Sequence, residues 1–353
     1  MKQKFYTLFV LIWLLSVINI SCKKDLNQPN DFLVELVPFG KLSIYRESVS
    51  VAATDNKLIF AGGTISAEWI DSAITTVDIY DKKTQLWTTA NLSQARNNMC
   101  AITYGNKVFF AGGIESDGFI PSSRVDIYDA ATNTWSITEL SEPRGNIVAA
   151  VAGNKIVFTG GLRADASYNL ISSSKADIYD ANTNTWSTAT LSQPRALHTV
   201  SAVGNKIYIA GGKNGSVSST IDIYDAGTNT WTVSLLGEAK SNHAAAVVDD
   251  KIYWMGGSNG STTSNRIEIL NTTTQTTTTA LLPTESEFFI PALSRNGQLI
   301  LFSGYYNSKA YIFEISSGQW KQKLLKLNPT SIFACMDDHI YMAEGIHVWK
   351  VVF

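Results

Sequence analysis

Seven times along this chain an apolar run breaks on a glycine pair or its remnant, at intervals of 41 to 51 residues. A fixed period of that length constrains the fold more than any composition can, because each copy must be one supersecondary unit that buries its apolar face against the next. The runs are KLIFAGG at Gly62-Gly63, KVFFAGG at Gly112-Gly113, KIVFTGG at Gly160-Gly161, KIYIAGG at Gly211-Gly212, KIYWMGG at Gly256-Gly257, QLILFSG at Ser303-Gly304 and HIYMAEG at Glu344-Gly345. A second apolar alternation follows each one: VDIYD to Asp81, VDIYD to Asp129, ADIYD to Asp180, IDIYD to Asp225, then IEILN to Asn271, AYIFE to Glu314 and IHVWK to Lys350. Six residues further on stand Trp87, Trp135, Trp186, Trp231, Thr277 and Trp320.

Counting backwards is equally regular. Sixteen residues before the first letter of each pair lie Arg46, Arg96, Arg144, Arg195, Lys240, Glu287 and Asn328. Each copy therefore holds four short strands: a near the Arg, b ending at the glycines, c carrying IYD and d at the Trp. The connector DxxTNTW, with Asn133, Asn184 and Asn229, reads as a tight c–d turn in which Asn takes the left-handed conformation. Four antiparallel strands at this period make the blade of an all-β propeller. The joint register of Arg, GG, Tyr and Trp resembles the kelch repeat over roughly residues 33 to 353, which implies a kelch-type β-propeller of seven four-stranded blades. Because copies five to seven have decayed, six blades with an irregular tail is the alternative. The seventh copy runs out of chain before its own d strand, and the segment from about Leu33 to Leu42 can supply that strand from the N-terminus. Closure of this kind removes an exposed sheet edge; Pro38 counts against regular pairing there.

The first residues are an address. Lys2 and Lys4 precede an apolar run from Phe5 to Ile18, and Ser21 precedes Cys22. The run is shorter than the roughly 20 residues of a spanning helix. The segment resembles a bacterial lipoprotein signal, although Asn19 stands where the lipobox usually has Leu. The resemblance implies a signal peptide over residues 1–21, a lipidated Cys22 with a polar tether over 22–32, and a propeller over 33–353, a monomer anchored to the cell envelope at the outer membrane.

Charge and metal-ligand chemistry exclude other classes. Charged residues are 16% and the formal net charge is -2, with no basic run after Lys24, so nucleic-acid binding through phosphate neutralisation is not expected. Cys22, Cys100 and Cys335 lack the paired spacing of a zinc site, and a Cys100–Cys335 bridge stays open; the four histidines form no HExxH pattern. Neither metal nor cofactor is expected.

Alternating strands bring the b–c and d–a loops to one face of the disc, where ligand-facing residues are expected. The b–c loops there carry Trp69, Phe119, Tyr168, Tyr305 and Tyr306, which either stack on sugar rings or anchor a protein, or else fold down as loop core. Arg46, Arg96, Arg144, Arg195 and Lys240 are repeat positions. They either hydrogen-bond carbonyls of the adjoining blade or form a cationic channel mouth that draws a carboxylate, with Glu287 breaking that ring. Kelch domains that bind acidic motifs offer a precedent for the second use. His198 and His243 share one position in neighbouring blades and are either packing residues or a proton-transfer pair. The expected function is a non-catalytic binding protein or scaffold for a glycan or protein partner. The alternative is an enzyme similar to the exported bacterial kelch proteins that interconvert sialic acid anomers. A copper radical oxidase is a poor third, since the two His, two Tyr and a Tyr–Cys cross-link it needs cannot be assembled from these positions.

Overall fold

The computed structural model describes residues 34–67, 70–115, 120–283, 289–295, 298–303, 309–324, 332–336 and 339–352. Among them the regular structure is all strand, in seven four-stranded antiparallel sheets with three small hairpins in the b–c loops. The seven-bladed propeller holds, and the six-bladed alternative falls. Blade one is Ser50–Ala53, Lys57–Ala61, Thr76–Asp81 and Leu86–Asn91 as strands a to d. Blades two to five repeat that order, starting at Cys100, Val148, Thr199 and Ala244. The Arg position thus lies in the d–a loop, four residues ahead of strand a.

Blades six and seven keep four strands despite their decayed sequence. In blade six, strand a (Phe289–Arg295) carries Pro291, and its register on strand b shifts between Ile290 and Leu293. A proline has no N–H to give the ladder, so an interior strand accommodates it with a bulge. Blade seven joins Ile332–Met336, His339–Glu344 and His347–Val352 to an N-terminal strand d, Glu35–Lys41. Its register runs from Glu35 opposite Val352 to Lys41 opposite His347, with the irregularity at Pro38 to Gly40 that the proline predicts. Strand d therefore starts at the c–d turn face and ends at the face bearing the b–c loops.

The repeat letters have separate mechanical jobs. Strand b is buried after its first residue in every complete copy, as in Leu58, Ile59 and Phe60 of blade one. The Tyr of strand c stacks across the ladder on the Trp of strand d, with ring centroids 4.9 to 5.4 Å apart in blades one to four. In blades two to four the same Tyr hydroxyl donates to the turn Asn, at 2.8 Å from Tyr128 to Asn133, 2.7 Å from Tyr179 to Asn184 and 2.6 Å from Tyr224 to Asn229. These three Asn have φ of 58, 55 and 58°, the left-handed conformation expected of them. The first glycine of each pair is an approach between blades. Gly112 has φ +61°, its neighbour Gly113 accepts no side chain either, and a Cβ on Gly112 would sit 2.3 Å from the carbonyl oxygen of Arg144 in the next blade.

Cys100 and Cys335 form no disulfide, which closes the bridge left open by the sequence.

Candidate functional site

The d–a loop is fastened twice at each Arg position, and this decides what the conserved register of cations can do. Its backbone binds the blade before: Gly63, Gly113 and Gly161 donate N–H to the carbonyls of Arg96, Arg144 and Arg195 at 3.0 Å, and Gly212 donates to that of Lys240 at 2.8 Å. Its side chain binds its own blade. The Arg144 guanidinium, fully buried, donates to the carbonyls of Gly160 and Lys175 at 2.8 Å and to the Asp177 carboxylate. Arg96 does the same with Gly112, Arg124 and Asp126, and Arg195 with Gly211, Thr220 and Asp222. Arg46 pairs with Asp78 at 2.7 Å. In blade five Lys240 lies 3.5 Å from Glu238 and donates to the Arg266 carbonyl.

The other oxygen of each buried carboxylate accepts a backbone N–H three residues before the cation: Ser43 on Asp78, Ser93 on Asp126, Ser141 on Asp177 and Ser192 on Asp222, at 2.8 to 2.9 Å. In blade five both oxygens of Glu268 accept the Gly237 N–H, and the cation pairs with Glu238 instead. These carboxylates, the first Asp of each DIYD, were not singled out from the sequence. The signal was present: Arg with Asp in four blades, Lys with Glu in the fifth, then Glu287 with Tyr311 and Asn328 with His347, so both positions change together. All five cations are buried and matched by carboxylates, so these positions are internal clamps, hydrogen-bonded to carbonyls of their own blade rather than the adjoining one, and not a cationic channel mouth.

His198 and His243 occupy the place of Val49, Met99 and Ile147 in the preceding blades, between one strand a and the glycine pair of the blade before. His198 Nε2 is 3.0 Å from Thr159 Oγ1, and His243 Nε2 is 2.8 Å from Thr199 Oγ1. Since the Thr159 hydroxyl donates to the Val148 carbonyl at 3.2 Å, it accepts from His198, which fixes the proton on Nε2. Burial, reinforced by the neighbouring cations, pushes both imidazoles down to about 3. They are neutral packing groups at neutral pH, which removes the basis for a proton-transfer pair there.

Trp69, Phe119, Tyr305, Tyr306, Glu287 and Cys22 lie outside the described residues. Tyr168 does not, and it stands on the expected face. It belongs to the b–c loop of blade three, a short hairpin of Leu162–Ala164 with Leu170–Ser172. Asp165 folds the tip: its carboxylate accepts the N–H groups of Ser167 at 2.8 Å and Asn169 at 2.9 Å, and its carbonyl accepts that of Tyr168 at 3.0 Å. Those hydrogen bonds, Asn169 first, hold the Asp165 carboxyl below its usual range. Tyr168 is thereby held at φ 62° and is 83% exposed. An aromatic residue kept in a sparsely populated backbone region and turned to solvent is an unusual combination, and such outliers concentrate at binding sites.

Beside it is a cleft of about 430 Å³ between blades two and three, within the size range of ligand pockets. Ile120 and Pro121 come from the b–c loop of blade two, Ser141, Glu142 and Pro143 from the d–a crossing, and Arg163, Ala164 and Tyr168 from blade three. Arg163 was not foreseen. Its Nε is 3.6 Å from Glu142 Oε2, while the other oxygen of Glu142 accepts the Ser173 hydroxyl. Among the described residues the exposed large apolar side chains of this face, Ile44, Tyr45, Ile120, Tyr168, Leu170 and Leu197, fall in blades one to four.

Comparison with known proteins agrees with this geometry. The family model described as KLHDC2/KLHL20/DRC7 Kelch-repeats domain matches residues 48–237, and the Kelch motif model matches residues 239–276. No curated protein matches the chain.

Proposed function

Because this chain belongs to the kelch-repeat family, whose propeller fold suggests a binding or scaffold role, we propose that it is a lipid-anchored envelope protein that binds a glycan or protein partner without catalysis. The observation that carries the reading is the cleft between blades two and three with the strained, exposed Tyr168 at its edge. The regular repeat residues support it from the other side. The Arg and His positions that could have built a catalytic or anion-concentrating centre are internal clamps and packing groups, which leaves the variable loops to do the recognising. The alternative of an anomer-exchanging enzyme rests on resemblance to exported kelch proteins, and the buried repeat cations add nothing to it.

Strand d of blade seven begins on the c–d turn face, the side of the propeller opposite the cleft. The loop itself is partly structural: Leu162 exchanges backbone hydrogen bonds with Gly145, and the Ser173 carbonyl accepts from Arg195. Only the 165–169 tip can be removed cleanly. Replacing it by a two-residue Asn-Gly turn is expected to abolish binding to an array of envelope glycans and to cross-linked envelope proteins, with the melting temperature unchanged within about 2 °C. Retained binding in that variant would refute the placement of the site. In the same cells, Cys22→Ser is expected to move the protein from the membrane to the soluble fraction, and an unchanged membrane fraction would refute the anchor.

A further inference from the structure

We infer that the occupant of the cleft between blades two and three is a carboxylate-bearing saccharide, its sugar face on Tyr168 and its acid group on Arg163; this rests on the binding reading above. Three observations carry it. The first is the platform. Tyr168, 83% exposed, stands on a tip that Asp165 holds by three hydrogen bonds, so little ordering remains to be done when a flat apolar surface lies against it. Pro121, Pro143 and Ile120 supply further apolar wall. A shallow apolar wall with one exposed aromatic suits the C–H face of a pyranose.

The second is the cation. Arg163 lines the cleft with its side chain 38% exposed. Among the described residues, its guanidinium contacts Glu142 through Nε and the Ala164 carbonyl, 3.5 Å away, through Nη1. A guanidinium has five N–H donors in a fork that matches a carboxylate. Glu142 does not cancel the site for an anion, because it is shared: Ser173 donates to its Oε1 and the buried Arg144 Nε lies 4.0 Å from the same atom. Unlike the five repeat-register cations, which are buried, Arg163 stands on the loop surface.

The third observation separates a saccharide from an extended peptide. A peptide that adds to a hairpin needs an open edge with unpaired N–H and C=O groups. The 162–172 hairpin has its Leu162 edge paired with Gly145, and its other edge lies against the next loop, where the Ser172 hydroxyl donates to the Lys213 carbonyl at 2.8 Å. Recognition by side chains in a lateral cleft is what remains, and a ring with one charged substituent uses the two side chains that project there.

The test uses the full propeller and two probes of the same saccharide that differ at the carboxyl group: trigalacturonate and its fully methyl-esterified form, each titrated calorimetrically against the wild type, Arg163→Gln and Tyr168→Ala. The wild type is expected to bind the acid at least about tenfold more tightly than the ester, as a charge-assisted hydrogen bond implies. Arg163→Gln is expected to remove that preference while leaving the ester's affinity unchanged, and Tyr168→Ala to weaken both probes by about tenfold or more. Both substituted side chains are surface groups, so the melting temperature serves as the control for folding. Equal affinity for the two probes, a preference that survives Arg163→Gln, or no binding of either probe overturns the inference. Equal affinities that Tyr168→Ala abolishes overturn the acid group and keep the cleft as the binding site; affinities that Tyr168→Ala leaves intact overturn the cleft as well.

Discussion

Asp177→Ala is expected to destabilise the propeller by about 3–5 kcal/mol, the cost of leaving a buried charge without its partner. The Arg144 guanidinium is wholly inside the protein, and Asp177 is both its counter-ion and the acceptor for the Ser141 N–H. Removing the carboxylate frees the crossing from blade two to blade three at the point where it must also present the Arg144 carbonyl to Gly113. Urea unfolding at neutral pH measures the loss. The companion variant Arg144→Met/Asp177→Leu is expected to recover part of it, because it removes the lone buried charge while still leaving the Gly160 and Lys175 carbonyls and the Ser141 N–H without their partners. The double variant is expected to bind whatever ligand the wild type binds, with unchanged affinity. A loss of less than about 1 kcal/mol in the single variant would refute the clamp, and a stable double variant that no longer binds ligand would give the repeat arginines a recognition role after all.

The second large effect is acid sensitivity. His198 and His243 titrate at about 3 in the folded protein against 6.5 for a free imidazole. Their folded values lie below the unfolded one, so between pH 6.5 and 3 the unfolded chain holds more protons than the native one. Stability from these rings is complete above about pH 6.5 and falls on acidification, by about 1.4 kcal/mol per pH unit for each ring, until about pH 3. Urea midpoints at pH 7 and pH 4.5 therefore differ strongly in the wild type. Substituting His198→Met and His243→Ile, the side chains that blades two and three already carry there, is expected to flatten that interval and leave only the carboxylate titrations at lower pH. An unchanged slope in the double variant would assign the acid sensitivity elsewhere.

The sequence made the blade legible and hid the roles of its most regular residues, for reasons that can be named. Period, strand order and the left-handed Asn of the c–d turn are local properties, and local patterns report them. The Arg register was equally visible, yet its burial depends on the strand c carboxylate that the d–a loop meets 27 to 33 residues later, a contact made by folding. Joint exchange to Lys240 and Glu268 in blade five would have paired the two positions from sequence alone. Tyr168 was readable as an aromatic in a polar loop. Arg163 was not, because what distinguishes it is the company of Ile120, Pro121 and Pro143, which blade packing brings from two other loops. In blades six and seven the glycine pair erodes, but a strand needs only alternation and a neighbour to pair with, and both survive there.

The N-terminal strand of blade seven sets the order in which this protein can be completed. Glu35–Lys41 is synthesised first among the strands, yet its partner His347–Val352 follows some three hundred residues later. Blades one to five can form as local meanders while the chain emerges, each within its own short stretch of sequence, whereas ring closure is a contact of nearly maximal sequence separation and so comes late. Until then two sheet edges are unpaired, and a neighbouring copy in the same state could exchange its first strand. Any chain interrupted before Val352 is left open at the same seam, and refolding yield should depend on concentration more than the stability of the finished ring would suggest.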